Sequence, residues 1–207
     1  VVDGNGVEHR ARSVIVTVPL PILQEGALTF APSIPTIDSA TKLLVMGHVL
    51  HLAVVVRERF WERTDPQLRF VHCPTRPITV WWTQHPLTTP VLTAWTGGPP
   101  ALELTRRGGV EETVLAELAH TFGMKRARAE QLVESMHWHD WSTDVHVRGA
   151  YSYVGVGGVS APRTLARQTA GTVFMAGEAT SQSAGGTVEA ALESAVRAVK
   201  GVLRALS

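Results

Sequence analysis

The pattern of hydrophobic and polar positions is clearest near the C-terminal end of the chain. Apolar residues recur there at the i, i+4, i+7 and i+8 spacing of an amphipathic helix, which predicts a helix over residues 187–206. The predicted apolar face consists of Val188, Leu192, Ala195, Val196, Val199, Val202, Leu203 and Leu206. Glu193 and Arg197 have the spacing of an ion pair on the polar side. An apolar run at 172–176 predicts a strand before the helix, with a glycine-rich turn between them.

Shorter patterns divide the rest of the chain into strands and helices. The β-branched run at 13–18 predicts a strand that is buried on both faces and ends at Pro19 and Pro21. Strict alternation at 48–57 predicts a half-buried strand. Further strands are expected at 68–72, 78–84 and 91–96, and helices at 37–46, 110–122 and 127–136. These elements predict an α/β (α+β) fold in which residues 1–27 and 146–207 complete one sheet domain, with 28–145 inserted as a mixed sheet-and-helix module.

Composition and charge exclude several classes of function. The net charge is +1, and the absence of any Lys/Arg run argues against a nucleic-acid or anionic-lipid partner. Cys73 is the single cysteine, so a disulfide framework and a cysteine metal cluster are both excluded. No apolar run approaches the roughly 20 residues that a membrane-spanning helix needs. The chain opens with Val1 inside a strand-like segment, which we interpret as the later part of a longer protein.

The glycine-rich turn between the last strand and the last helix has the chemistry of a ligand site. The first N–H groups of a helix lack intrahelical partners and carry partial positive charge. Gly185 and Gly186 have no Cβ, so a flat or anionic ligand can approach the backbone closely. A strand followed by such a turn is where open α/β sheets bind cofactors. The alternative is a tight loop with a glycine cap.

Four motifs, in this order, resemble those of the flavin-containing amine oxidases, which include monoamine oxidases, polyamine oxidases and flavin-dependent histone-lysine demethylases. They are the run at 14–20, the segment 47–61, the segment 141–153 and the stretch 177–188 with the helix that follows it. The resemblance implies that 1–27 and 146–207 belong to an FAD-binding, Rossmann-like domain and that 28–145 form a substrate-binding domain. It covers only the C-terminal half of such an enzyme, because the G-x-G-x-x-G fingerprint is absent.

The same resemblance implies a set of FAD contacts. The backbone N–H of Val188 would donate to the pyrimidine oxygen of the flavin, and Glu178 would accept from a ribityl or ribose hydroxyl. Ala150 stands where monoamine oxidases attach the flavin through cysteine, so the FAD is expected to be non-covalent. The implied cofactor-binding residues are Thr17, Pro19, Trp141, Gly177, Glu178, Thr187 and Val188.

Three residues are implied to act on the substrate side of the flavin. Tyr151 and Thr187 would line an open substrate cage that excludes water and orients a neutral amine. His51 stands where the family usually has a lysine that holds a water near flavin N5. Burial would disfavour the charged imidazole, which favours dehydrogenase-like use of another electron acceptor over fast reaction with oxygen. A core tyrosine and an ordinary strand histidine are the alternative interpretations.

The implied activity is the transfer of a hydride from the C–H of a small amine to flavin N5, which gives an imine. The chain alone is expected to be inactive, with the N-terminal half of the same protein or a separate subunit as its partner. An arginine bias and the reduced thiol lead us to expect a cytoplasmic, bacterial protein.

Two other classes of function stay open. One is a non-catalytic remnant or subunit of the same fold that binds a ligand or partner without turnover. The other is a metal-binding module built on His137, His139, Asp140 and His146. The family motif already accounts for Trp141 and Asp144 in the same segment, so we expect no metal.

Overall fold

The computed structural model describes residues 1–167, 169 and 171–207 of the chain. The described part is a mixed α/β structure. Its strands are β1 Val14–Val16, β2 Leu44–Met46, β3 Val49–Val56, β4 Phe70–His72, β5 Val80–Thr83, β6 Val91–Gly97, β7 Val133–Trp138, β8 Ser152–Val154 and β9 Val173–Met175. Its α-helices are α1 Leu20–Gln24, α2 Pro35–Thr41, α3 Pro99–Arg107, α4 Val110–Thr121, α5 Arg126–Leu132, α6 Ala161–Ala166 and α7 Val188–Leu206. Short 3₁₀ turns lie at Phe60–Arg63 and Glu178–Thr180.

The chain packs as two compact units. The first unit comprises Val1–Gly47 and Val145–Ser207, and the second comprises His48–Asp144. The boundary therefore falls after Gly47 instead of after residue 27, because residues 28–47 pack into the core of the first unit through side chains such as Ile37 and Leu44. The other division between the two units lies between Asp144 and Val145.

Two small sheets organise the first unit. Strands β1 and β9 pair in parallel, from Val14 opposite Val173 to Val16 opposite Met175. Strands β2 and β8 pair antiparallel. The core beneath them consists of Val16, Leu20, Ile37, Ala40, Leu44, Ala161, Leu165 and Met175. The β-branched run at 14–16 thus forms the predicted strand, although only Val16 is fully buried.

Helix α7 covers nearly the predicted residues but turns the opposite face inward. The side chains buried beneath it are small, namely Ala190, Ser194 and Ala198. The helix lies so close to β9 that a Cβ on Gly201 would stand 2.7 Å from Cε1 of Phe174. Most of the larger residues of the predicted apolar face are exposed instead. The prediction that this face packs inward is wrong for these residues, because only small side chains permit such a close approach.

The second unit is built on a five-stranded antiparallel sheet in the order β4-β5-β6-β3-β7. The alternation predicted for β3 is confirmed, since Leu50, Leu52, Val54 and Val56 are buried while the residues between them are not. Helices α3, α4 and α5 contribute buried residues such as Leu104, Val114 and Ala129 to the same core. At the edge of this core, Arg76 makes a bidentate ion pair with the buried Glu117, in which Nε donates to Oε2 at 2.9 Å and Nη2 donates to Oε1 at 2.8 Å. This hydrogen bonding raises the pKa of the Arg76 guanidinium.

Two predicted helices end early, and three short helices were not predicted. The helices predicted at 37–46 and 127–136 stop at Thr41 and Leu132, because the following residues pair as β2 with β8 and as β7 with β3. Helices α1, α3 and α6 each have proline in the first turn. Proline fits there because the first N–H groups need no intrahelical acceptor. No helix among the described residues is both long and apolar enough to cross a bilayer.

The contact between α7 and β9 predicts the effect of substituting Gly201. Alanine has a helix propensity about 1 kcal/mol better than glycine, but its Cβ would overlap the buried ring of Phe174. Overpacking of this kind costs about 1–3 kcal/mol. We therefore expect Gly201→Ala to lower the free energy of unfolding by about 1 kcal/mol, measured by urea denaturation. The loss should shrink in a Phe174→Leu background, and a stabilising Gly201→Ala would contradict the close contact.

Candidate functional site

The carboxyl ends of the two parallel strands meet at one cavity in the first unit. Residues 17–19 follow β1 and residues 176–178 follow β9, so both turns emerge at the same edge. A cavity of about 240 Å³ lies there, and it is lined by residues of these turns and by others that include Met46, Ala150, Leu165 and Ala191. Ligands of open α/β sheets bind outside the carboxyl ends of the strands. The sequence-predicted residues that line the cavity are Thr17, Pro19, Gly177 and Glu178.

Helix α7 holds the turn after β9 in place. The N–H of Gly177 donates to Oγ of the buried Ser194 at 2.8 Å. Gly177 has φ +130°, a region that side chains rarely adopt. One turn further along α7, Nη2 of Arg197 donates to the carbonyl of Met175 at 2.9 Å and to Oγ1 of Thr180 at 2.8 Å. Burial lowers the pKa of the Arg197 guanidinium. Arg197 therefore faces β9, and its predicted pairing with Glu193 on the polar side is wrong.

The carboxylate of Glu178 joins three segments of the first unit. Its Oε1 accepts from the N–H of Ser152 at 3.1 Å, and its Oε2 accepts from Oγ of Ser152 and from the N–H of Gly186, both at 2.8 Å. We call this arrangement the Glu178 clasp. It fastens β8 and the Gly185-Gly186 turn to the residue that follows β9. A carboxylate has about four acceptor positions, so the predicted bond to a cofactor hydroxyl is compatible with the clasp and stays a prediction.

The N-terminus of α7 is capped by the predicted site residue Thr187. Its Oγ1 accepts from the N–H of Ala190 at 3.1 Å and donates to the carbonyl of Ala184 at 2.7 Å. Helix geometry leaves the N–H groups of Val188 and Glu189 without intrahelical acceptors, and these amides carry the positive end of the helix dipole. The side chain of Val188 is exposed. The helix thus presents backbone donors, as the sequence predicts, with the hydroxyl of Thr187 committed to capping.

Tyr151 lies against the glycine turn that precedes Thr187. Its Cδ2 would stand 3.3 Å from a Cβ on Gly186, and Gly186 has φ +79°, so only glycine suits this position. The Tyr151 carbonyl accepts from the N–H of Gly47 at 2.8 Å. The structure therefore brings Tyr151 close to the segment that carries Thr187. Among the described residues, neither of these two nor Val188 lines the cavity of about 240 Å³.

His51 and Trp141 belong to the second unit. His51 is exposed on β3, opposite Trp95, with its ring centroid 5.8 Å from that of Trp82. The burial expected at His51 is therefore not found among the described residues. Trp141 is half-exposed, and its ring packs edge-to-face on that of His139 with the two ring centroids 4.5 Å apart. Their roles toward a flavin stay predictions.

Two histidines near Trp141 each contact one polar side chain. Nε2 of His139 lies 3.4 Å from Oδ2 of Asp144, and His137 lies 2.9 Å from the hydroxyl of Ser135. Oδ1 of Asp140 accepts from the N–H and the hydroxyl of Ser142. Across residues 1–167, 169 and 171–207, no group of three or more His, Cys, Asp or Glu is arranged to hold a metal ion.

Sequence reasoning missed several polar residues that build the site. Ser152 lies inside the Tyr-Ser-Tyr motif, which was interpreted only through Tyr151. Ser194 and Arg197 are polar residues three positions apart, and both face β9. The available signal was that small and polar residues occupy one side of α7, whereas bulk hydrophobicity marked the other side as the packing face.

Comparison with known proteins identifies the family. A model described as flavin containing amine oxidoreductase matches residues 1–203. The chain belongs to this family. It is 31% identical to lysine-specific histone demethylase 2 of Homo sapiens over 207 residues, covering 94% of this chain and 24% of that protein. It is 29% identical to lysine-specific histone demethylase 1B of Mus musculus, and the match covers 93% of this chain and 24% of that protein. It is 26% identical to polyamine oxidase 3 of Oryza sativa subsp. japonica, and the match covers 95% of this chain and 40% of that protein. The chain spans about a quarter of the length of the two demethylases.

The Glu178 clasp predicts a selective loss of stability. Hydrogen bonds to charged groups contribute about 1.5–3 kcal/mol each when formed away from water, and Glu178 is half-buried. We expect Glu178→Ala to lower the free energy of unfolding by about 2 kcal/mol and to speed amide exchange at Gly186, measured by denaturation and by hydrogen exchange. Glu193→Ala, which removes an exposed carboxylate from α7, should change stability by less than about 0.5 kcal/mol. Equal effects of the two substitutions would contradict the clasp.

Proposed function

We propose that this chain is part of an FAD-dependent amine oxidoreductase that takes a hydride from an amine C–H to flavin N5. The product is an imine, which water hydrolyses. The observation that carries the proposal is the cavity at the carboxyl ends of the parallel strands β1 and β9. In the flavin-containing amine oxidoreductase family, a cavity in this position favours a cofactor. We further propose that β1, β9 and α7 belong to a Rossmann-like FAD domain into which the substrate domain is inserted.

The residues around the cavity fit a flat, partly anionic cofactor. The turns after β1 and β9 expose backbone and small side chains, including Thr17, Pro19 and Gly177. The N–H of Val188, at the positive end of α7 and outside the cavity lining, would hold an acceptor oxygen of the ring. Glu178 would use its remaining acceptor capacity for a ribityl or ribose hydroxyl, with Trp141 as a further contact. When bound, FAD supplies the acceptor for the electron pair, and it would be held non-covalently.

The size of the cavity supports a site that is completed by more protein. At about 240 Å³, it is smaller than the roughly 300–1,000 Å³ typical of sites for drug-sized ligands, and FAD is larger than such ligands. We therefore propose that these residues hold only part of the cofactor. The N-terminal half of the same protein, or a separate subunit, would hold the rest. The chain alone would then be inactive.

We propose a small amine as the substrate. Tyr151, beside the Gly186 turn, and Thr187 would form a cage that excludes water and orients the neutral amine. The relatives are named as lysine-specific histone demethylases and polyamine oxidases, which supports an amine without selecting one. His51 would hold a water near flavin N5 in place of the usual lysine. Because an imidazole is not the fixed cation that a lysine ammonium is, we propose an electron acceptor other than oxygen.

For the setting of the protein, we propose a cytoplasmic location with no nucleic-acid or membrane partner, in keeping with the net charge of +1. A bacterial origin finds no support among the relatives, which come from animals, plants and a fungus.

The proposed function predicts how flavin binding responds to added protein. Residues 1–207 purified alone should bind FAD weakly and show no amine turnover. With the N-terminal half fused or co-expressed, the protein should be yellow, and amines should bleach its visible absorption under anaerobic conditions. A flavin-loaded protein that no amine bleaches would overturn the proposed reaction. Stoichiometric FAD and amine oxidation with residues 1–207 alone would overturn the proposal of an incomplete site.

The identity of residue 51 predicts the rate of reaction with oxygen. In the flavin-loaded protein, reoxidation by oxygen should be slow, and His51→Lys should speed it by about tenfold, because a fixed cation stabilises negative charge developing on oxygen. Stopped-flow absorbance measures the rate. His72→Lys, which adds the same charge at another exposed strand position of the second unit, should leave it unchanged. Fast reoxidation in the unsubstituted protein would contradict the role proposed for His51.

A further inference from the structure

Among the described residues, Arg148 is the one residue other than glycine whose backbone is left-handed. Its φ is +57°. A side chain in this conformation brings its Cβ close to the following carbonyl oxygen, whereas a glycine adopts it without strain. Residues held in this region cluster at functional sites, where the surrounding contacts maintain them. An arginine at this position therefore points to a use for its side chain.

Two hydrogen bonds engage the guanidinium of Arg148. Nε donates to the carbonyl of Val145 at 3.2 Å, and Nη1 donates to Oε2 of Glu25 at 2.6 Å. Glu25 is the residue at which α1 ends. The side chain of Arg148 is 27% exposed and that of Glu25 is 58% exposed. An ion pair this accessible to water adds little net stability, so we expect its effect to be on the position of the turn at 145–150.

The ion pair connects two segments that line the cavity of about 240 Å³. Leu20 and Leu23 of α1 line the cavity, and so do Val147 and Ala150. Arg148 lies between the second two in sequence, and Glu25 follows the helix that carries the first two. The bond between Arg148 and Glu25 therefore ties α1 to the turn that supplies the other lining residues.

Close packing restrains the later part of the same turn. Gly149 has φ +155°, and a Cβ there would stand 2.2 Å from Cγ of Met46. The N–H of Ala150 donates to the carbonyl of Gly47 at 2.9 Å. The turn is thus held to residues 46–47 through its backbone and to α1 through the side chain of Arg148. A glycine at 148 would permit the same backbone conformation without the tie to α1.

We propose that Arg148 is a positioning residue for the cofactor, because its ion pair with Glu25 sets the 147–150 turn relative to α1 and so sets the shape of the cavity that both line. This inference rests on the proposed function, in which the cavity holds part of FAD. Ala150 stands where monoamine oxidases attach the flavin, so a shift of this turn changes the surface that meets the flavin ring. Arg148 acts through its neighbours and does not itself line the cavity.

The test compares Arg148→Gly, Glu25→Gln and the double variant in the protein that includes the N-terminal half. Without flavin, Arg148→Gly should leave the thermal midpoint nearly unchanged, because glycine removes the backbone strain together with the ion pair. Hydrogen exchange across residues 147–150 should become about tenfold faster. The Kd for FAD, measured by flavin fluorescence, should rise by about tenfold.

Two further variants separate positioning from a general loss of structure. Arg148→Lys keeps the cation and should restore most of the FAD affinity that Arg148→Gly loses. The double variant should resemble Arg148→Gly alone, because both single substitutions remove one shared interaction. The matched control is Arg10→Gly, which breaks the exposed ion pair with Glu8 near the N-terminus. It should change neither the exchange across 147–150 nor the Kd for FAD.

Several outcomes would overturn the inference. One is a lower thermal midpoint of Arg148→Gly with unchanged exchange and Kd, and another is a double variant in which the two single effects add in full. Faster exchange with an unchanged Kd would overturn the role toward the cofactor and leave the proposed function standing. If the unsubstituted protein binds no FAD, the proposed function fails, and exchange in the flavin-free variants still decides whether Arg148 positions the turn.

Discussion

The carboxylate of Glu178 is the contact on which the geometry of the candidate site depends. It accepts from Ser152 and Gly186 at once, so the end of β9, the start of β8 and the entry to α7 are set by one side chain. Without it, the glycine turn would have few restraints, because glycines lose the most conformational freedom on folding. The turn must be ordered if the first amides of α7 are to point at a ligand, and the clasp supplies that order from within the first unit.

A second constraint is the closeness of α7 to β9. The hydroxyl of Ser194 accepts from the N–H of Gly177, and the guanidinium of Arg197 donates to the carbonyl of Met175 at the end of β9. Gly201 leaves space for Phe174. These contacts satisfy polar groups that would otherwise be buried without partners. They also fix the orientation of the helix about its own axis, so the exposure of its larger apolar side follows from the polar bonds on its smaller side.

The sequence predicted elements correctly where the local hydrophobic pattern matches the side that is buried. It missed the strands that form only because a distant segment of the chain pairs with them. The alternation of β3 predicted its buried face correctly, and Thr187 was placed at the start of the last helix. Residues 44–46 and 133–136 were assigned to helices because local periodicity does not reveal the partner strand with which they pair, here β8 or β3. The buried face of α7 was predicted wrongly because hydrophobicity alone does not say which of two faces meets the rest of the chain.

For the candidate site too, features set by residues adjacent in sequence could be predicted, and contacts between distant segments could not. Local pattern could indicate a glycine turn before a helix, since that depends on residues adjacent in sequence. It could not indicate that Glu178 bonds Ser152, 26 positions away, because that bond depends on where β8 runs. The groups that the first unit satisfies internally, such as this carboxylate, form its scaffold. The groups that face outward are the leading amides of α7 and the large apolar side chains along the same helix, such as Leu192 and Val199.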